Sequence, residues 1–193
     1  LTRRICFVTG NRYKFEEVSE ITRRFNIELE LCSVPKLEVQ GESLLEIVFK
    51  SAILAYFFTN RPVLVEDAGL FIKALNGFPG PYSSYVYKTI GLTGVLKLLE
   101  NAENREACFR SAAALAYDRG VITGEGEVCG YIVETPRGTR GFGFDPIFTP
   151  HGEAKTFAEM SLEEKNRVSH RAKSVSLVLS KYIEHAQTAL SNF

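Results

Sequence analysis

Two long β-type runs, Ala107 to Tyr117 and Val121 to Val133, meet at Asp118-Arg119-Gly120, and they constrain the fold more than any other feature. Such runs on either side of a short polar turn read as an antiparallel hairpin. The first half of the chain has a different rhythm. Ile5-Cys6-Phe7-Val8 is a short apolar strand, followed by a helical pattern with Phe15, Val18, Thr22 and Phe25 on one face. Ile27 to Val34 alternates as a second strand. Ser43 with Glu46 forms a capping-box signature, opening a helix striped with Leu44, Val48, Ala52 and Ala55. Strand–helix alternation joined to a β-rich half predicts mixed α/β architecture, not a doubly wound sheet. A second capping box, Ser161 with Glu164, opens one terminal helix that carries Val168, Ala172, Val175, Leu179, Tyr182, Ala186 and Leu190 at helical spacing.

A length of 193 residues fits one domain, 1–193, with room for two lobes. The formal net charge is zero and no block of like charges occurs, which argues against direct nucleic-acid binding. No apolar run approaches the ~20 residues that span a bilayer, so no membrane partner is expected. Cys6, Cys32, Cys108 and Cys129 are scattered without a C-x-x-C pair. Three of them lie in apolar, strand-like stretches and read as small buried hydrophobes, and the expected compartment is the reducing cytoplasm.

Several segments carry chemistry. Val63-Leu64-Val65 is an apolar strand that runs into Glu66-Asp67-Ala68-Gly69. A carboxylate there needs a metal ion, hydrogen bonds or a basic partner; the plainer reading is a strand ending in a polar turn. Adjacent strand residues point to opposite faces, so one carboxylate of the doublet is expected in any shared site. Thr9-Gly10-Asn11-Arg12-Tyr13-Lys14 lies where a strand hands over to a helix, a place suited to an anion or simply to an Asn N-cap. No Walker loop is present. Gly124-x-Gly126 sits between strand segments and is not a dinucleotide fingerprint. Gly141-Phe142-Gly143-Phe144-Asp145-Pro146 sets an aromatic among small residues, a stacking platform worth ~1–3 kcal/mol; alternatively Phe144 is core and Asp145 a turn former. Lys165-Asn166-Arg167-Val168-Ser169-His170-Arg171 packs basic and hydrogen-bonding residues into the start of the last helix; the plainer reading is a solvated helix face.

Together these segments resemble the inosine triphosphate pyrophosphatase family. The resemblance rests on Thr9-Gly10-Asn11-x-x-Lys14, Glu38-Val39-Gln40-Gly41-Glu42, Glu66-Asp67-x-Gly69-Leu70, Pro79-Gly80-Pro81-Tyr82, Gly141 to Pro146 and Glu164-Lys165-Asn166-x-x-Ser169-His170-Arg171, in order along most of the chain. It implies an elongated mixed β-sheet with flanking helices, forming two lobes around a central groove, and a homodimer. It implies Mg²⁺-dependent cleavage of ITP, dITP and XTP between the α- and β-phosphates, with Mn²⁺ as a substitute ion. By the same resemblance Thr9, Gly10, Asn11, Arg12, Tyr13 and Lys14 bind the triphosphate, helped by Lys50. Glu38 and Asp67 hold the metal, and Asp67 is also the base. Phe142, Gly143, Phe144, Asp145, Lys165, His170 and Arg171 contact base and phosphate; for such a base, donors from a charged His170, Arg171 or loop N–H groups would favour a 6-keto group over an amino group. Two substrate-binding positions depart from the pattern. Ala68 stands where relatives carry a hydroxyl and offers only backbone; Ser84 stands where they carry a basic residue. A nucleotide binder without turnover, and a pyrophosphatase for other modified nucleotides, are the competing readings.

Overall fold

The structure is a computed structural model that describes residues 3–32, 34 and 41–191, with side chains described to residue 188. Strand β1 (Arg3–Phe7) leads into helix α1 (Arg12–Arg23), and the chain returns as β2 (Ile27–Leu31), parallel to β1. Helix α2 (Leu44–Thr59) precedes β3 (Val63–Ile72). A short strand β4 (Pro79–Gly80) and two small helices, α3 (Ser83–Thr89) and α4 (Gly91–Leu98), follow. The hairpin expected from the sequence is present as β5 (Glu106–Tyr117) and β6 (Gly120–Ile132). A last strand β7 (Phe148–Pro150) and helices α5 (Leu162–Val168) and α6 (His170–Ser191) complete the chain. The sheet order is β2-β1-β3-β5-β6-β7, with β4 paired to β3. Strand β1 is parallel to β2 and β3, and the other pairings are antiparallel, so the sheet is mixed as expected.

Side-chain alternation along β3 and β5 explains the core. Leu64, Ala113 and Leu115 point to one face and pack with Val18 and Ile21 of α1 and Val175 and Leu179 of α6. Val63, Val65, Ala112 and Ala114 point to the other and pack under Val48 and Ala52 of α2. Further along the same strands, Leu70, Ile72, Phe109 and Val128 build a separate cluster with Phe148, Phe157 and the small helices. The long strands β3, β5 and β6 thus contribute to both the first and the last of these clusters. Among the described residues no helix is long and apolar enough to cross a membrane.

Three expectations are corrected. Strand β2 stops at Leu31, short of Val34. The single terminal helix is two helices, because Ser169 leaves α5 in an extended conformation (φ −68°, ψ 150°) and its hydroxyl accepts from the Ala172 N–H at 3.1 Å, restarting the helix on a new axis. The cysteines are not free thiols. Cys6 is bonded to Cys32, and Cys108 to Cys129, its directly opposed neighbour in the β5–β6 register. Separations of 26 and 21 residues conceal pairs that strand packing brings together.

Candidate active site

The site grows from a gap in the sheet. On its β1 side, β3 pairs with β1 only through Leu64, and pairing resumes with β4 at Leu70. The intervening edge faces the start of α1. Asn11 caps that helix: its side-chain oxygen accepts from Tyr13 N (2.9 Å) and Lys14 N (3.3 Å), and Thr9 Oγ1 accepts from Asn11 N (3.1 Å). The cap aims Lys14 across the gap, where its Nζ donates to the Glu66 carbonyl at 3.4 Å.

The same ammonium meets both carboxylates of the doublet, at 3.2 Å from Glu66 Oε2 and 3.1 Å from Asp67 Oδ1. The alternation expected from the sequence still holds, with Glu66 on the α1/α6 face and Asp67 on the α2 face. Lys14 bridges them by passing through the open edge. Their environments differ sharply: the Glu66 side chain is fully buried, whereas that of Asp67 is 36% exposed. Asp67 is the carboxylate that incoming solute can reach.

Behind Glu66 lies a buried network of charges. Arg171 Nε stands 3.0 Å from Glu66 Oε2, and its Nη1 pairs closely with Glu17. Glu17 also takes Lys165 Nζ at 2.6 Å, and Lys165 reaches Asp145 Oδ2 at 2.7 Å. Asp145 in turn accepts from the Phe142 N–H at 2.8 Å. Gly141 adopts φ +71°, and a β-carbon there would collide with the Asp145 carboxylate, so glycine is required for the loop to wrap that side chain. Burial raises the Glu66 carboxyl, but Arg171 and Lys14 outweigh it and hold the group at about 2. Burial likewise depresses the Lys14 ammonium, and Glu66 and Asp67 reverse that, leaving it above its ordinary value. For Asp145 burial prevails over Lys165, and its carboxyl is raised.

The basic segment Lys165 to Arg171 is therefore no solvated face: Lys165, His170 and Arg171 are buried. His170 is not the charged donor expected. Burial, reinforced by Arg171 and Lys165, pushes its imidazole well below the ordinary range, and it stacks flat on Phe109 at 4.7 Å. Its Nδ1 is buried without a hydrogen-bond partner among the described residues. Phe142 is the half-buried aromatic of its loop. Tyr13 stacks on it at 5.7 Å, with Lys165 Nζ and Arg171 Cζ within 5.1 Å and 5.4 Å of the ring centroid. Phe144 packs in the core instead, edge-on to Tyr87; its backbone and that of Gly143 (φ +61°) remain part of the loop.

Other expected positions lie apart. Arg12 is exposed and pairs with Glu16. Lys50 is exposed on α2 and pairs with Glu46, one turn earlier, rather than with any group at the gap. Ser84 is exposed on α3, while its neighbour Ser83 is buried, accepting from Leu70 N and donating to Gly80 O. Ala68 is half-buried beside Ser111. Glu38 lies outside the described residues. Glu17, Ser111 and Ser174 escaped the sequence reading. Glu17 follows Lys14 by three residues and precedes Ile21 by four, which places it on the buried side of α1. That spacing was the available signal.

The donor set suits a hard cation that relies on its ligand for most of its coordination. Asp67 offers one accessible carboxylate at the gap, and magnesium is typically held by one or two carboxylates together with substrate phosphates. Among the described residues the only three-membered ligand cluster is Cys108, Glu127 and Cys129, whose cysteines are bonded to each other. No all-protein metal cage competes with Asp67 among those residues.

Known proteins are similar along nearly all of the chain. A family model described as the Ham1 family matches residues 5–181. A dITP/XTP pyrophosphatase of Hyperthermus butylicus is 54% identical over 172 residues, covering 89% of this chain and 90% of that protein. A dITP/XTP pyrophosphatase of Saccharolobus solfataricus is 52% identical over 171 residues, 89% of each chain. A solved HAM1 protein from Coxiella burnetii superposes with a TM-score of 0.82 at 31% identity, covering 94% of this chain and 99% of that one.

Proposed function

The chain belongs to the Ham1 family, and on that premise we propose that it hydrolyses the non-standard purine nucleotides ITP, dITP and XTP to monophosphate and pyrophosphate, clearing them from the nucleotide pool. The observation that carries this assignment is the Lys14 ammonium held at an open strand edge between a buried and an accessible carboxylate. A cation for phosphate and a carboxylate for water or metal are thereby adjacent. Relatives named dITP/XTP pyrophosphatases at about half identity supply the substrate class.

Magnesium, or manganese in its place, would be held by Asp67, with Glu38 as the second carboxylate; when bound, such an ion neutralises phosphate charge and acidifies a coordinated water. The chain's own groups do the rest. Asp67 accepts a proton from the attacking water and orients it toward the α-phosphorus. Lys14 gives up its contact with Asp67 to the phosphates and stabilises the departing pyrophosphate, since a positioned cation is most effective where charge develops. The α1 N-terminus at Thr9-Gly10-Asn11 receives phosphate oxygens, with Arg12, Tyr13 and Lys50 on the approach. The ring of Phe142 stacks on the base. Arg171 and Lys165 face the 6-keto oxygen, an acceptor where adenine presents a donor; an opposed donor pair there discriminates strongly. Neutral His170 provides a single N–H at most, so guanidinium and ammonium carry the selection.

The same assignment treats 1–193 as one catalytic domain, assembled as a homodimer and working in the cytoplasm where its substrates are. The compartment rests on the substrate, because the paired cysteines remove the thiol argument. Pyrophosphate release from ITP by the purified protein tests the assignment against its Asp67→Asn variant. Turnover should fall by about 10²–10⁴-fold, the usual contribution of a positioned acid or base; an unchanged rate overturns the role given to Asp67.

A further inference from the structure

Glu66 is the carboxylate of the doublet that the reaction does not use, yet it has the richer set of partners. Its Oε2 is shared by Lys14 at 3.2 Å and Arg171 at 3.0 Å. Its Oε1 accepts from the Ser111 hydroxyl at 2.7 Å, and Ser111 lies 2.8 Å from the hydroxyl of Ser174, one turn beyond Arg171 on α6. Three elements are tied at one point: α1 through Lys14, β5 through Ser111 and α6 through Arg171. Among the described residues no other carboxylate touches both Lys14 and Arg171; Glu17 holds Arg171 and Lys165, and Asp67 holds Lys14 alone.

We propose that Glu66 is a positioning residue that links the phosphate end of the groove to its base end, setting Lys14 and Arg171 at a fixed separation so that turnover and base selection depend on one buried group. The proposal rests on the functions given above to Lys14 and Arg171. Its physical basis is the difference between the two carboxylates that share Lys14. Asp67 is accessible and must release the ammonium when phosphate arrives. The Glu66 side chain is fully buried and keeps a counter-charge beside Lys14 throughout. A side chain as flexible as lysine needs such an anchor to stay in one geometry after its other partner leaves. On the other side, Glu17 alone would fix the Nη1 end of the guanidinium and leave its plane free to pivot. The second contact, an ion pair at Nε that lies 3.0 Å from Glu66 Oε2 but outside hydrogen-bond geometry, draws that side of the guanidinium toward Glu66 and limits the pivot.

The test is Glu66→Gln, which keeps the shape and removes the charge, read through two quantities. The ratio of kcat/KM for ITP to that for ATP is independent of how much protein is folded, so loss of stability alone does not move it. That ratio should fall at least ten-fold, and kcat for ITP should fall at least ten-fold without a matching rise in KM. Calorimetric titration of the metal-free protein should show the same loss of preference for ITP over ATP in binding. Should Glu66→Gln fail to fold, Ser111→Ala retains the charge but frees one oxygen of the carboxylate. It should shift the ITP:ATP ratio in the same direction by about three-fold. A folded Glu66→Gln protein with the wild-type ratio, or an unfolded one accompanied by a Ser111→Ala protein with the wild-type ratio, overturns the proposal. Failure of the underlying assignment looks different, because the wild-type protein itself would then show no preference for ITP.

Discussion

Gly126 on β6 lies directly beneath the His170 carbonyl that opens α6. A β-carbon at Gly126 would collide with that oxygen and come within 2.7 Å of Ser174 N. Gly124, two residues back on the same face, would bring its β-carbon within 2.9 Å of Ser174 O. The pair that imitates a dinucleotide motif instead lets helix backbone rest on strand backbone. This close approach sinks Lys165, His170 and Arg171 into the interior and delivers Arg171 to Glu66.

Gly126→Ala should therefore injure stability and the site together. Overpacking against backbone that cannot retreat costs about 1–3 kcal/mol, visible as a lower urea midpoint. Displacement of the α6 start should also raise KM for ITP. A variant with wild-type midpoint and KM would show that the helix has room to move.

Lys165→Met tests the buried charge network. Glu17 and Asp145 would lose a cation that lies 2.6 Å and 2.7 Å away; Glu17 would keep Arg171, but Asp145 would lose its ammonium partner, and breaking a buried pair costs about 3–5 kcal/mol. Chemical denaturation measures the loss. A change below about 1 kcal/mol would mean that the network relaxes at little cost.

Acid should lower the stability through His170 first and Glu66 later. The His170 imidazole lies below its ordinary value in the folded state, so the unfolded chain takes up that proton first. Stability should begin to decline as pH falls below about 6.5. The Glu66 carboxyl is depressed to about 2. Its contribution is fully present above about pH 4.5 and is lost as pH falls through 2, amounting to about 3 kcal/mol. Unfolding free energy measured against pH should show both declines, with His170→Gln removing the upper one. A flat profile between about pH 7.5 and 5.5, one unit either side of the ordinary histidine value, in the wild-type protein contradicts a neutral His170.

Thiol titration of the denatured, unreduced protein should detect none of the four cysteines. Reduction should lower stability by about 3 kcal/mol for each bridge, on loop-closure grounds. Recovery of four free thiols would return the cysteines to the role of buried hydrophobes.

Local rules made much of the fold legible. Helices open where the sequence places them, at Ser43 and Ser161, because a cap depends on residues only a turn apart; the reciprocal box forms at Ser161 with Glu164, whereas at Ser43 the hydroxyl accepts from Glu46 N and the Glu46 carboxylate pairs with Lys50 instead. The hairpin across Asp118-Arg119-Gly120 was equally clear. The break at Ser169 was hidden, since Val168 and Ala172 keep helical spacing through it and only packing against Gly124 and Gly126 reveals the new axis. At the site, alternation correctly separated Glu66 from Asp67, but Lys14 reaching both through an unpaired strand edge is a property of sheet topology. The reversal of His170 from charged donor to neutral ring has the same origin. Its charge state is set by burial and by Arg171 and Lys165, and Phe109, the ring it stacks on, lies far away in sequence.

Pyrophosphate release from ITP, dITP, XTP, ATP and GTP, each with and without Mg²⁺, tests the central claim most directly. The expected result is rapid, Mg²⁺-dependent release from ITP, dITP and XTP, with ATP and GTP slower by at least about 10²-fold. Equal rates across the five nucleotides, or release of orthophosphate in place of pyrophosphate, would contradict it.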